Sequence, residues 1–363
     1  MSIINESKAY YWLSLSGCTA KRLNAVLSVY PVLEIWERIP KDLKLQAAFK
    51  DKAEILLKHR SLEVIDESLG RIKQQNIRIM TLASEAYPGA LKQKEVSPPI
   101  ILYYKGDPSC LQRPCVAVVG TRVATAYGRE VAESFGLELA AAGITVVSGL
   151  ATGVDTFAHE AASESGTTAA VLGGGFKFIP QHSLKLSDKI INTGGIVISE
   201  YPPDFCPTRY TFPERNRIIS GLSSAVIVVE AAEKSGALIT ASYALEQGRE
   251  VYAIPGGVNS LRSAGCNKLI KDGHAAFVTS AADVLKDLRI EAAPQNKQPP
   301  LALDIFEDKV YKLLQDGKQH FDNILENGSF HANQLSALLL SLEMKAVVKR
   351  LQGNYYCLAG QKY

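Results

Sequence analysis

An α/β fold built on a doubly wound, mostly parallel, Rossmann-like sheet is what this sequence predicts, and two patterns carry the expectation. Between residues 113 and 288, short apolar runs recur at 116–119, 144–147, 169–172, 196–198, 225–229 and 251–254. They are near-continuous rather than alternating, as strands covered on both faces require. Between the first two runs, Val131, Phe135 and Leu139 fall four apart on one helical stripe. Strands alternating with helices in this way argue a parallel sheet with right-handed crossovers.

The flanks follow in order. Residues 1–70 read as a small helical domain, with helices at 10–15, 22–27 and 32–36 and a turn at Ser16-Gly17. Residues 71–112 read as a connecting extension, with strands at 77–80 and 100–104 around Tyr87-Pro88 and Pro98-Pro99. Residues 289–304 (RIEAAPQNKQPPLALD) are Pro-rich, polar and without period, hence a linker. Residues 305–363 form a last unit. One helix there carries Val310, Leu313 and Leu314, two more cover 321–327 and 333–341, and a hairpin turns at Gln352-Gly353. Three helices and a hairpin suggest a winged helix.

The 363 residues fit two or three domains, and 47% hydrophobic with 21% charged residues is globular composition. A net charge of +3 leaves any nucleic-acid function to local basic patches. Cys18, Cys110, Cys115, Cys206, Cys266 and Cys357 contain no C-x-x-C pair, and the histidines complete no zinc site. Reduced, buried thiols, no metal and no cofactor are expected. The N-terminus lacks a basic start and a long apolar core, and no apolar run approaches the roughly 20 residues of a membrane span. A cytoplasmic protein without membrane contact follows as the expectation.

In open α/β sheets, ligands sit beyond the carboxyl ends of the strands. Those ends read Gly120-Thr121-Arg122, Ser148-Gly149-Leu150-Ala151-Thr152-Gly153 and Gly173-Gly174-Gly175, with Glu230 leading to Lys234-Ser235-Gly236. Glycine admits an anion close to backbone amides, and a helix N-terminus adds partial positive charge. Each loop alone fits a plain tight turn; together, beside Arg122 and Lys234, they describe a phosphate-binding edge. After the first strand the chain reads G-T-R-V-A-T, not G-x-G-x-x-G, and no G-x-x-x-x-G-K-[ST] occurs. Dinucleotide and P-loop chemistry are thereby disfavoured.

The segment 209–217 interleaves Arg209, Arg215 and Arg217 with Tyr210, Phe212 and Asn216. Arginine forks onto phosphate, and an exposed ring offers a platform to any base. The alternative is that the rings pack under a loop while the arginines pair with Glu200 or Glu214. Asp155 and His159 lie one turn apart on a helix expected at 153–162. They read as an acid set against the helix dipole and an ordinary histidine sooner than as an acid–base pair. Glu200 is the other carboxylate placed at a strand end. No Ser/His/Asp or Cys/His set emerges, so no catalytic residue is assigned and no enzyme is expected.

At these residues the chain resembles the DNA-processing protein A (DprA/Smf) family. The blocks are V-A-V-V-G-T-R (116–122), S-G-L-A-T-G-V-D-T-F-A-H (148–159), G-G-I-V-I-S-E-Y-P (194–202) and F-P-E-R-N-R-I-I-S-G-L (212–222). V-E-A-A-E-K-S-G-A-L-I-T-A (229–241), G-R-E-V-Y-A-I-P-G (248–256) and S-A-G-C-N-K-L-I (263–270) follow in order. The sequence departs at Ile179-Pro180-Gln181-His182, where Tyr-Pro and then Asn is more usual. The resemblance implies a SAM-like or helix-hairpin-helix N-terminal region and a winged-helix-like C-terminal domain. It implies binding of single-stranded DNA without strong sequence preference, protection of incoming strands in natural transformation, loading of RecA, and a homodimer through the Rossmann-like domains. It carries DNA-binding roles onto Arg122, Arg215, Asn216, Arg217, Lys234, Ser235 and Gly236. Gly120, Thr121, Ser148, Gly149, Arg209 and Phe212 join them on the residue-level reading. Two rivals are a phosphoribohydrolase-like nucleotide hydrolase and a ligand-sensing winged-helix regulator. The first lacks its P-G-G-x-G-T-x-x-E signature, because Pro255-Gly256-Gly257 runs into Val258-Asn259-Ser260. The second lacks a strongly basic recognition helix.

Overall fold

The computed structural model describes residues 4–290, 303–315, 317–345 and 347–359. The chain divides into two compact units, Met1–Gln295 and Asn296–Tyr363. Most of the linker expected at 289–304 lies outside the described residues.

The first unit begins with helices α1 (Glu6–Ser14), α2 (Ala20–Leu27), α3 (Val32–Arg38), α4 (Leu43–Phe49), α5 (Ala53–Lys58) and α6 (Leu62–Gln74). Strands β1 (Arg78–Thr81) and β2 (Ile101–Gly106) follow. Then come β3 (Cys115–Val119), α7 (Ala126–Ala141), β4 (Thr145–Ser148), α8 (Val154–Ser165), β5 (Thr168–Leu172), α9 (Gln181–Asn192) and β6 (Ile196–Ser199). The unit continues through α10 (Thr211–Leu222), β7 (Ala225–Val228), α11 (Gly236–Glu246), β8 (Glu250–Ala253), α12 (Ala264–Lys271), β9 (Ala276–Phe277) and α13 (Ala281–Asp287). The six apolar runs of the sequence are β3 to β8.

The strands form one sheet in the order β1-β2-β6-β5-β4-β3-β7-β8-β9. From β6 to β9 every pairing is parallel, while β2 joins β6, and β1 joins β2, antiparallel. The stretch at 71–112 therefore contributes two strands to the central sheet. Alternate residues of each strand enter opposite cores. Ala117 and Val119 pack with Ile218, Ile219 and Leu222 of α10 and Ala237 and Ala241 of α11. Val116 and Val118 pack with Ala132, Phe135 and Leu139 of α7 and Val154 and Ala158 of α8. Helices on both faces explain why the strands are apolar at every position.

The N-terminal helices do not close a core of their own. Trp12, Ile35, Trp36, Leu56 and Ile65 share one cluster with Ile101 and Tyr103 of β2, Ala170 and Leu172 of β5, and Leu150 beyond β4. Trp12 donates from Nε1 to the Leu56 carbonyl at 2.9 Å and meets Trp36 edge-on at 4.9 Å. Cys110, Cys115, Cys266 and Cys357 are buried free thiols, but Cys206 is exposed and Cys18 half-buried, which corrects the expectation for those two. No helix among the described residues is long and apolar enough to cross a membrane.

The second unit holds α14 (Ile305–Leu313), β10 (Gln319–His320), α15 (Phe321–Gly328), α16 (Ala332–Met344), β11 (Val348–Leu351) and β12 (Tyr355–Leu358). The three strands pair antiparallel in the order β10-β12-β11, the hairpin turning over 352–354. Val310, Ile324, Leu335, Leu339 and Val348 form the core. Beside it, the Glu307 carboxylate accepts from Lys345 Nζ at 2.6 and 2.7 Å, from Ser341 Oγ at 2.7 Å and from the Asp304 amide at 3.0 Å. Those donors, Lys345 first, pull its pKa from the ordinary 4.5 to about 2. Because the folded value is depressed, the stabilisation is complete above the ordinary glutamate value and is lost as pH falls toward about 2. Amide protection factors of 305–313 and 332–344 in the full chain should fall over that window. Glu307→Gln should be faster-exchanging at pH 7 and should lose most of the acid dependence.

Candidate nucleic-acid interface

The carboxyl ends of β3, β4, β5 and β7 open onto two pockets that share a wall. The smaller, of 210 Å³, is lined by 149–152, by 172–175, by Phe178, Ile179, Pro180 and His182, and by Pro207. The larger, of 510 Å³, is lined by Gly120, Asp155, Arg209, Pro213, Asn216 and Ile219, and by Ser235, Gly236, Ala237, Ile239 and Thr240 at the start of α11. Arg122, Ala151, Phe212 and Arg215 line both. β3 lies between β4 and β7, where the strand order reverses. Such a switch point is where open α/β sheets hold ligands.

The arginine-rich segment is mostly helix: α10 begins at Thr211. Phe212, Arg215, Asn216 and Ile219 recur at helical spacing and so present one face to the larger pocket. Arg215 is buried, yet its guanidinium reaches the strand ends. Nη1 donates to the Gly149 carbonyl at 2.8 Å and to the Val171 carbonyl, and Nε to Asn216 Oδ1 at 3.2 Å. Among the described residues Nη2 has no hydrogen-bond partner, and it flanks Gly149, where a Cβ would stand 2.6 Å from it. Burial lowers the Arg215 pKa to about 10, against the field of Asp155, so the cation persists at neutral pH. Arg122 is exposed above, its guanidinium carbon 5.8 Å from the Phe212 ring centre, with that ring 37% exposed. Arg209 stacks on Tyr210 at 4.7 Å, and Tyr210 is 67% exposed. The N-terminus of α11, capped by Ser235 accepting from the Ala237 amide at 3.3 Å, adds its dipole to the same pocket. Two arginines, an exposed ring and a helix N-terminus suit a phosphate with a base beside it.

Several expected site residues stand elsewhere. Arg217 is two positions from Arg215, about 200° around the helix. It is buried against Glu200, Nη2 lying 2.6 Å from Oε1 and 2.5 Å from Oε2. The ion-pair alternative describes this arginine, which lines neither pocket. Ser148 is fully buried with Oγ donating to the Val118 carbonyl at 2.7 Å, and it lines neither pocket. Thr121 uses its amide on the Glu230 carbonyl at 2.7 Å and lines neither pocket. Lys234 is exposed but also lines neither.

The triple glycine serves packing. A Cβ at Gly173 would meet the Phe212 ring at 2.6 Å, and one at Gly175 the Pro202 carbonyl at 2.3 Å. His159 is buried with Nδ1 2.6 Å from Thr168 Oγ1, and burial lowers its pKa to about 3, so it is neutral at physiological pH. Reasoning on the sequence missed the task of Glu230: its carboxylate accepts from the Thr125 amide at 2.9 Å and hydroxyl at 2.7 Å, anchoring the start of α7. Its place after a strand-end valine was the available signal.

Residues 78–289 match the profile of the family described as DNA recombination-mediator protein A. The chain belongs to that family. Residues 293–354 match the DprA winged helix domain. The DNA processing protein DprA of Bacillus subtilis is 39% identical over 281 residues, 74% of this chain and 94% of its own length. The X-ray structure of DprA from Streptococcus pneumoniae superposes with a TM-score of 0.64 at 34% identity, over 79% of this chain and 99% of that one. A structure of Helicobacter pylori DprA, described for its single-stranded DNA binding mode, has a TM-score of 0.53 at 31% identity and covers 60% of this chain and 97% of that one.

Within this DprA fold, Arg217 and Glu200 are only 6% and 16% exposed at their side chains. Arg217→Ala leaves a buried carboxylate unpaired, a loss of about 3–5 kcal/mol. Urea unfolding should register it, and Arg217→Met with Glu200→Gln should recover much of the deficit.

Proposed function

We propose that this DprA family member binds single-stranded DNA along the carboxyl edge of its sheet, protects incoming strands, and helps load RecA onto them during natural transformation. One observation carries the binding step: Arg122, Phe212 and Arg215 form the wall between two pockets, placing two guanidinium groups and an exposed ring together at the switch point. Family membership and the strand-binding H. pylori relative support the same reading. A homodimer through the Rossmann-like domains belongs to the proposal on family grounds. Catalysis does not: Glu200 is engaged by Arg217, and His159 by Thr168.

Binding through phosphates releases counterions, so affinity for single strands should fall linearly on a log–log plot against salt. Homopolymers of different bases should bind within a modest range, because every base has a stackable face. Equal or tighter binding to duplex under the same conditions would rule the reading out. Arg122→Ala should lose a charge-assisted contact of about 1.5–3 kcal/mol, roughly ten- to a hundredfold in Kd. Arg122→Lys keeps the charge without the fork and should fall between. Phe212→Ala should cost about 1–3 kcal/mol if a base stacks there. Fluorescence anisotropy with labelled oligonucleotides measures all three, beside circular dichroism for folding.

A further inference from the structure

Asp155 sits on the first turn of α8, 7% exposed, facing the larger pocket from beneath. Its Oδ2 accepts from the Gly149 amide at 3.1 Å and the Ala151 amide at 3.4 Å. One residue further on, Thr156 Oγ1 donates to the Ala151 carbonyl at 2.8 Å. Gly149 is thus held from both sides, its amide by Asp155 and its carbonyl by Arg215. Between the two holding points Leu150 has φ +55°, a left-handed conformation that a branched apolar residue adopts only when its surroundings impose it. The loop so shaped supplies 149–152 to the smaller pocket and Ala151 to the larger. Asp155 is also a carboxylate whose field acts on Arg215, although burial raises its own pKa, so it contributes to both the shape of the wall and the charge behind it.

We propose that Asp155 is a positioning residue of the strand-binding site, holding the Gly149–Ala151 turn in its binding shape while attenuating the charge that Arg215 offers to a phosphate. This rests on the strand-binding reading above. The two roles of Asp155 oppose each other in binding, and that opposition separates them from simple support of the fold. Removing the carboxylate altogether frees the loop and weakens binding. Removing only the charge, with an oxygen left to accept the two amides, strengthens it. A residue that merely supports the fold would weaken binding, or leave it alone, in both variants.

The experiment is anisotropy titration of a labelled oligo(dT) at pH 7.5 with the full-length protein and its variants. Wild-type binding, weakened roughly ten- to a hundredfold in Arg122→Ala, establishes the reading itself; no wild-type binding overturns that reading and the role of Asp155 with it. Given wild-type binding, Asp155→Asn should bind roughly 3- to 10-fold tighter, the scale of one charge removed beside a phosphate site screened by solvent. Asp155→Ala should bind at least several-fold weaker than wild type. An Asn variant that binds like the wild type, or weakens together with Ala, overturns the charge-setting role. Thr156→Val removes a neutral hydroxyl from the same turn, and it covers the case of an Asp155 variant that fails to fold. It should weaken binding without change in the salt slope, and unaltered affinity there overturns the loop-holding role.

Discussion

The guanidinium of Arg215 ties together the parts on which the site depends. It leaves α10, passes into the layer beneath the pockets, and bonds to carbonyls at Gly149 beyond β4 and Val171 in β5. A cation so deeply placed is costly unless hydrogen bonds and a counter-charge offset it. Two carbonyls, the Asn216 oxygen and the field of Asp155 do so here. The loop after β4 is then shaped around that charge, and a Cβ at Gly149 would stand 2.6 Å from Nη2, so a side chain there would have to displace the guanidinium. An anion entering either pocket meets that charge already in place, with no reorganisation needed to deliver it.

Helical phase divides the labour of α10. Arg215, Phe212 and Asn216 face the pockets, while Arg217 turns into the interior to meet Glu200. One face lines the pockets and the other packs, with Ile218 and Leu222 in the core shared with β3 and β7. Neighbouring arginines thereby acquire different roles without any difference in chemistry.

The smaller pocket is bound to the N-terminal helices by packing. Leu150 and Leu172 line it and also belong to the cluster that contains Trp12, Ile35 and Trp36. Phe176, just beyond the triple glycine, joins the same cluster. The helices that open the chain therefore support the apolar wall of the site as well as one face of the sheet. The second unit has its own core and its own buried charge at Glu307.

The sequence by itself determined the strand pattern, the glycine-rich strand ends and the winged-helix unit, because each depends on local periodicity or on residues adjacent in the chain. Strands covered on both faces must be apolar throughout, so β3 to β8 were legible one by one. A strand-end glycine and aromatic interleaving single out Arg122 and Phe212 in the sequence, and both line the two pockets. Read as a loop, however, 209–217 gives Arg215 and Arg217 equal standing; only the start of α10 at Thr211 turns one toward the pockets and the other toward Glu200. Ser148 stands among the strand-end residues in the sequence, but its hydroxyl donates to the Val118 carbonyl on the neighbouring strand. The antiparallel addition of β1 and β2 and the core shared with α1 to α6 also rest on contacts between distant residues. Tertiary structure decided these points because each turns on which partner a side chain or strand finds across the sheet, and local sequence carries no record of that partner.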